Sequence, residues 1–130
     1  LIPILYSAAV LLWVSGFDII YALQDDDFDK SLQLNSIPVK MGRKNALTLS
    51  TVLHIFCAIA VLAAGYLLTQ QYPAFEWLHW AAAGTFIALL TYQHLIVKPN
   101  DLSRVNIAFF TTNGFASLIF GVLMILDIYF

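Results

Sequence analysis

The feature that most constrains this chain is a series of four apolar runs, at about 1–24, 46–69, 77–97 and 105–130. Each is close to the ~20 residues that an α-helix needs to cross a hydrocarbon core of about 30 Å. In lipid a spanning segment must satisfy its own backbone hydrogen bonds, so helix is the expected state, and the period-two alternation of a membrane barrel is absent. Charged residues make up 11% of the chain and hydrophobic ones 61%, whereas a soluble domain is about a quarter charged. A soluble fold of this size leaves too much area in water to hide so much apolar surface. The expected fold class is therefore all-α integral membrane: four transmembrane helices in one membrane domain, 1–130. The lipid bilayer is the first partner, and no nucleic-acid partner is expected.

The breaks between runs give an orientation. The loop at 25–45 carries Lys30, Lys40, Arg43 and Lys44, and the short loop before the fourth run carries Lys98 and Arg104. The middle loop, around Pro73, has no Lys or Arg. The positive-inside rule then places the first and third loops in the cytoplasm and both chain ends outside. Trp77, Trp80, Tyr72 and Phe75 gather at the outer edge as an aromatic belt would. Asp101 or Ser103 is placed to cap the fourth helix. Leu1 already lies inside an apolar run, with no charged leader before it. A further N-terminal part, with more helices of the same chain, is expected upstream.

The chemistry concentrates at the end of the first run. Asp18, Tyr21, Asp25 and Asp29 are spaced by three, four and four residues, so a continuing helix would place them on one face. An ionised Asp at helix depth costs roughly 2.5–3.5 kcal/mol on insertion scales, and like charges at i,i+4 repel. A cation should offset this. Carboxylates so spaced suit Mg²⁺, which takes one or two of them, keeps water and accepts phosphate oxygens. The sharp reading is a magnesium–diphosphate site at the mouth of a helix bundle. The bland reading is a solvated acidic loop, and Asp26 and Asp27 fit either. Asp18 is harder to dismiss, because intramembrane carboxylates face a cavity or a partner.

The order of these residues carries a resemblance. Asp18-Ile-Ile-Tyr21-Ala, then Asp25-x-x-x-Asp29, then Ser36-Ile-Pro-Val with Gly42 nearby, resembles the second aspartate-rich motif of the UbiA superfamily of intramembrane prenyltransferases. Tyr92-Gln-His94, then Lys98-Pro-Asn-Asp101-Leu-Ser103-Arg104-Val-Asn106, with Asn113-Gly114 after it, is similar to the branch of 4-hydroxybenzoate polyprenyltransferases and related menaquinone-pathway enzymes. The resemblance implies the last four helices of a bundle of about nine, with the first motif (Asn-Asp-x-x-Asp) outside these residues. It implies Mg²⁺ on Asp25 and Asp29, with Asp26 and Asp27 as possible further ligands. It also implies a polyprenyl diphosphate donor and an aromatic acceptor such as 4-hydroxybenzoate or a dihydroxynaphthoate, in ubiquinone or menaquinone biosynthesis. Asp18 matches an upstream cavity aspartate that orients substrate or a basic residue. Tyr21 is a plausible wall of the allylic site by position, since an aromatic face steadies a cation. Lys40, Arg43 and Lys44 are near enough in sequence to assist the diphosphate, and they also serve the positive-inside rule. The enzyme would sit in a bacterial inner membrane with its site toward the cytoplasm, and these 130 residues alone would be inactive. Rival readings are half of a proton- or cation-coupled transporter, or a non-catalytic membrane scaffold.

The remaining polar residues have structural readings. His54 and His94 are expected to hydrogen-bond between helices, and His79 to lie at the outer interface. Asn106 and Asn113, seven apart, are expected on one face of the fourth helix. Asp127, near that helix's outer end, is expected to reach water. Gly65, Gly84, Gly114 and Gly121 are expected to permit close helix packing.

Overall fold

The computed structural model describes residues 1–23, 42–98 and 103–129. Helix α1 (Ile2–Ala22) opens with Pro3 in its first turn, where proline's missing N–H has no helical partner to lose. Helix α2 (Arg43–Gln71) follows, then α3 (Leu78–Ile96). A π-helical segment (Ile107–Thr112) leads directly into α4 (Asn113–Tyr129). No strand is present among the described elements.

Helix α2 starts at Arg43 rather than near residue 46. The residue before it, Gly42, has φ 82° and ψ 159°, a conformation essentially confined to glycine. The chain can therefore turn sharply into the helix there. At 1.5 Å per residue α2 is roughly 43 Å long. That exceeds the hydrocarbon thickness, so this helix must tilt or project beyond it.

Three described helical stretches are long and apolar enough to cross a membrane: Ile2–Ala22, Lys44–Gln71 and Phe110–Tyr129. With 19 residues, α3 has a spanning length of roughly 28 Å but a less apolar sequence. His79, Thr85, Thr91, Gln93 and His94 interrupt it, and its most polar members turn inward. The chain is an integral membrane protein with four long helices among the described residues, three of them apolar enough overall to cross a membrane.

Packing joins α1 to α2 along most of their length and α3 to α4 similarly, while α2 and α3 touch more sparsely. One core cluster lies where the end of α1, the start of α2 and the end of α3 converge, with Ile20, Leu23 and Ala46 fully buried. A second lies mid-bundle around Ala9, Cys57, Ala60, Ala83, Phe86 and Ala116. Lipid tails are as apolar as leucine, so small residues that let backbones approach closely carry helix association here.

Among the described glycines the tightest surroundings are at Gly16. A Cβ there would run into the ring of His54. Ser50 donates to the Gly16 carbonyl at 2.7 Å, and His54 Nε2–H donates to the Trp13 carbonyl at 3.1 Å. Two α2 side chains thus bolt α1 in place. Gly65 also meets neighbours, the rings of His79 and Trp80, whereas Gly84, Gly114 and Gly121 face open space among the described residues. Their expected packing role falls instead to Gly16.

Candidate functional site

The apolar residues of α1 near its end decide where its polar ones point. Gly16, Ile19, Ile20 and Leu23 are buried toward α2, α3 and the fourth helix. Asp18 and Tyr21 are set off from that buried face. Asp18 is exposed and has no partner among the described residues. Tyr21 is half-buried, with the ring of Phe110 from the π segment edge-on at 6.1 Å. Asp25, Asp26, Asp27, Asp29, Lys40 and Asp101 lie outside the described residues. Arg43 opens α2, but its side chain is not among the described ones.

Asp18 supplies a hard carboxylate oxygen of the kind Mg²⁺ prefers. Among the described residues no three His, Cys, Asp or Glu side chains converge on a metal position. The fit of a metal therefore rests on one described carboxylate and on the aspartates that follow it in sequence.

An aromatic cavity of about 160 Å³ opens between α1, α3 and α4, with Val61 of α2 at its edge. Tyr6, Trp13, Phe86 and Phe120 line it, together with Ser117 and Gly121. Their rings meet edge to face, at centroid distances of 5.2 Å for Trp13–Phe86, 5.7 Å for Phe86–Phe120 and 6.2 Å for Tyr6–Phe120. Such contacts add about 0.5–1.5 kcal/mol beyond area burial and hold the walls. Trp13 is fixed further by its indole N–H, which donates to Asn113 Oδ1 at 3.2 Å. Gln93 Nε2 donates to the same oxygen. Gln93 Oε1 and Asn113 Nδ2 stay buried without partners among the described residues. The sequence reading did not pick out this cavity. The spacing of Tyr6, Trp13 and Phe17 along α1 hinted at it, but the contributions of Phe86 and Phe120 depend on how three helices meet.

The π segment corrects one expectation. Asn113 is buried but Asn106 is exposed, so the two do not share a face. Hydrogen bonding from i to i+5 inserts one extra residue and rotates everything beyond it by about 100° relative to a regular helix. The Thr112 hydroxyl donates to the Ile107 carbonyl at 3.1 Å within this turn.

One more expectation fails at the opposite end of α3. Asp127 does not reach water but is buried, and His79 beside it is buried too. The Asp127 carboxylate accepts from the backbone N–H of Glu76 at 3.1 Å, from that of His79 at 2.9 Å and from His79 Nδ1–H at 3.0 Å. A carboxylate at the end of α4 thus satisfies free donors at the start of α3, where the helix dipole also favours negative charge. His79 Nε2 has no partner among the described residues.

His54 and His94 do bridge helices. His54 Nδ1 and His94 Nε2 are 2.7 Å apart, and Thr51 Oγ1 lies 3.2 Å from His94 Nδ1. His54 must present its Nε2–H to the Trp13 carbonyl, which leaves its Nδ1 as acceptor for His94 Nε2–H when both rings are neutral. His94 Nδ1 is then an acceptor that competes with the Leu47 carbonyl, 2.9 Å from Thr51 Oγ1, for the one Thr51 hydroxyl proton.

The described residues form a helical membrane bundle with an exposed carboxylate near the end of α1 and an aromatic cavity, and comparison with known proteins gives its family. The chain belongs to the UbiA prenyltransferase family, whose profile matches residues 1–119. Over 120 residues it is 29% identical to the 4-hydroxybenzoate octaprenyltransferase of Aeromonas salmonicida (strain A449), covering 92% of this chain and 39% of that protein. The chain thus spans about two fifths of the length of this curated relative. No solved structure matches it.

Proposed function

We propose that the whole protein transfers a polyprenyl group from a polyprenyl diphosphate to a hydroxylated aromatic acid, of the 4-hydroxybenzoate or dihydroxynaphthoate type, in quinone biosynthesis. The observation that carries this reading is the family match across residues 1–119, which includes Asp18 and the aspartates after it. The relative's name supplies 4-hydroxybenzoate as the first acceptor to test. Asp18, exposed and without a partner among the described residues, supports the reading, because a carboxylate at helix depth is costly to keep without a task.

In this proposal Asp25 and Asp29 hold Mg²⁺, with Asp26 and Asp27 able to exchange into the same role. Bound there, the metal neutralises charge developing on the departing diphosphate. Lys40 and Arg43 add cationic contacts to that diphosphate. Asp18 orients substrate or a basic residue, and Tyr21 walls the allylic end. The cavity around Trp13, Phe86 and Phe120 takes part of the isoprenoid tail and excludes water that would quench an allylic cation. The aspartate-bearing loop faces the cytoplasm from a bacterial inner membrane.

The test is prenyl transfer by the full-length protein in membranes, with polyprenyl diphosphate, 4-hydroxybenzoate and Mg²⁺. Asp25→Asn with Asp29→Asn should lower turnover at least about 100-fold, because losing even an outer-shell partner of a metal costs 10–100-fold. Turnover unchanged by the double substitution, or indifferent to Mg²⁺, would overturn the proposal and favour a transport or scaffold role.

A further inference from the structure

A second feature lies on the α2–α3 side of the bundle. Where these helices touch sparsely, an apolar groove of about 290 Å³ runs between them, lined by Ile55, Ala58, Ile59, Leu62, Ile87 and Leu90. One end adjoins a polar notch of about 200 Å³ formed by Lys44, Thr48, Thr51, His94, Val97 and Lys98. Thr51 and His94 belong to both. They are tied to each other at 3.2 Å, and His94 is anchored through His54 to the backbone of α1.

Two exposed lysines border the notch, Lys44 at the start of α2 and Lys98 just past the end of α3. From Thr51 to Leu62 the groove follows α2 for about 16 Å at 1.5 Å per residue. That is about half of a 30 Å hydrocarbon core, the depth of one leaflet. A paired cationic notch above an apolar groove of leaflet depth is complementary to an anionic phospholipid. Basic pockets between transmembrane helices bind anionic head groups by this logic.

We propose that this groove is a binding site for one anionic phospholipid, its phosphate between the Lys44 and Lys98 ammonium groups and one acyl chain along Ile55, Ile59 and Ile87. The notch lies at the same end of the bundle as the end of α1, where Leu23 packs with Ala46 and Val97, but the lipid site does not depend on the proposed reaction. It holds the sparsely packed α2–α3 pair together where side chains leave space.

The test is native mass spectrometry of the full-length protein released from nanodiscs of equal phosphatidylglycerol and phosphatidylcholine. The wild type should retain one phosphatidylglycerol in preference to phosphatidylcholine. Each surface ammonium favours an anionic lipid about fivefold, so Lys44→Gln with Lys98→Gln should reduce the preference roughly 30-fold. Lys44→Arg with Lys98→Arg should keep it. Ala58→Phe fills the groove with both lysines intact and should also abolish retention. Retention unchanged by Ala58→Phe would show that the lysines act as a diffuse surface charge and would overturn the site. Equal retention of the two lipids by the wild type would do the same. A phosphatidylglycerol with a photoreactive group in its acyl chain gives an independent readout on the wild type. Labelling of α2 and α3 along the groove is expected, and labelling confined to other helices would refute the proposal.

Discussion

Two carboxylates sit near the ends of membrane-spanning helices in this protein, and they are treated in opposite ways. Asp127, near the end of α4, is 4% exposed and has three donors around it, two from the backbone of the neighbouring helix start. Asp18, near the end of α1, is exposed and has no partner among the described residues. Both cost free energy to place at such a depth. Only for Asp127 do the described residues repay it, by capping α3 from outside that helix. The difference separates a carboxylate that joins two helices from one that the described residues leave exposed.

The contrast can be broken most directly at Asp127. Asp127→Ala would leave the buried His79 donors without their acceptor, and an unsatisfied buried donor costs about 1–3 kcal/mol. A large fall in the thermal midpoint of the detergent-solubilised protein is expected. A midpoint close to wild type would mean that water replaces the carboxylate and that the cap is not structural.

Asp18→Asn should behave in reverse. Stability should change by less than about 0.5 kcal/mol, as for surface substitutions away from special features. Prenyl transfer by the full-length protein should fall about tenfold or more, equivalent to roughly 1.4 kcal/mol in the barrier. If Asp18→Asn instead destabilises the protein as much as Asp127→Ala does and leaves transfer intact, the two carboxylates share one structural role.

Trp13→Phe sharpens the scale of comparison, because it removes a neutral hydrogen bond while keeping an aromatic wall. Loss of the bond to Asn113 should cost about 0.6 kcal/mol, the average for interhelical hydrogen bonds in a membrane protein. A loss several times larger would show that the Trp13–Asn113–Gln93 cluster acts as a unit, as coupled polar networks can.

Reading the chain alone located the apolar runs, the all-helical membrane class, the conspicuous Asp18–Asp29 stretch and its family. These follow from local chemistry. Insertion into lipid sums transfer free energies along a segment, and a motif is a matter of residue order. That His54 and His94 each hydrogen-bond between helices was also legible, because a polar side chain in an apolar run needs a partner on another helix; that they meet each other was not. It was not legible that Asp127 turns inward to His79, that Gly16 rather than Gly114 or Gly121 permits the closest approach, or that Phe86 and Phe120 complete a cavity with Tyr6 and Trp13. Each depends on how one helix is rotated and crossed against another, and apolar patterning barely constrains that when lipid accepts any apolar face. The π turn at Ile107–Thr112 adds a rotation that a regular 3.6-residue period cannot anticipate, which is why Asn106 and Asn113 part company. Composition and order therefore determined what this protein is made of and where it resides. Its tertiary structure decided which polar groups bind one another within the bundle, because helix rotation and crossing set which side chains meet.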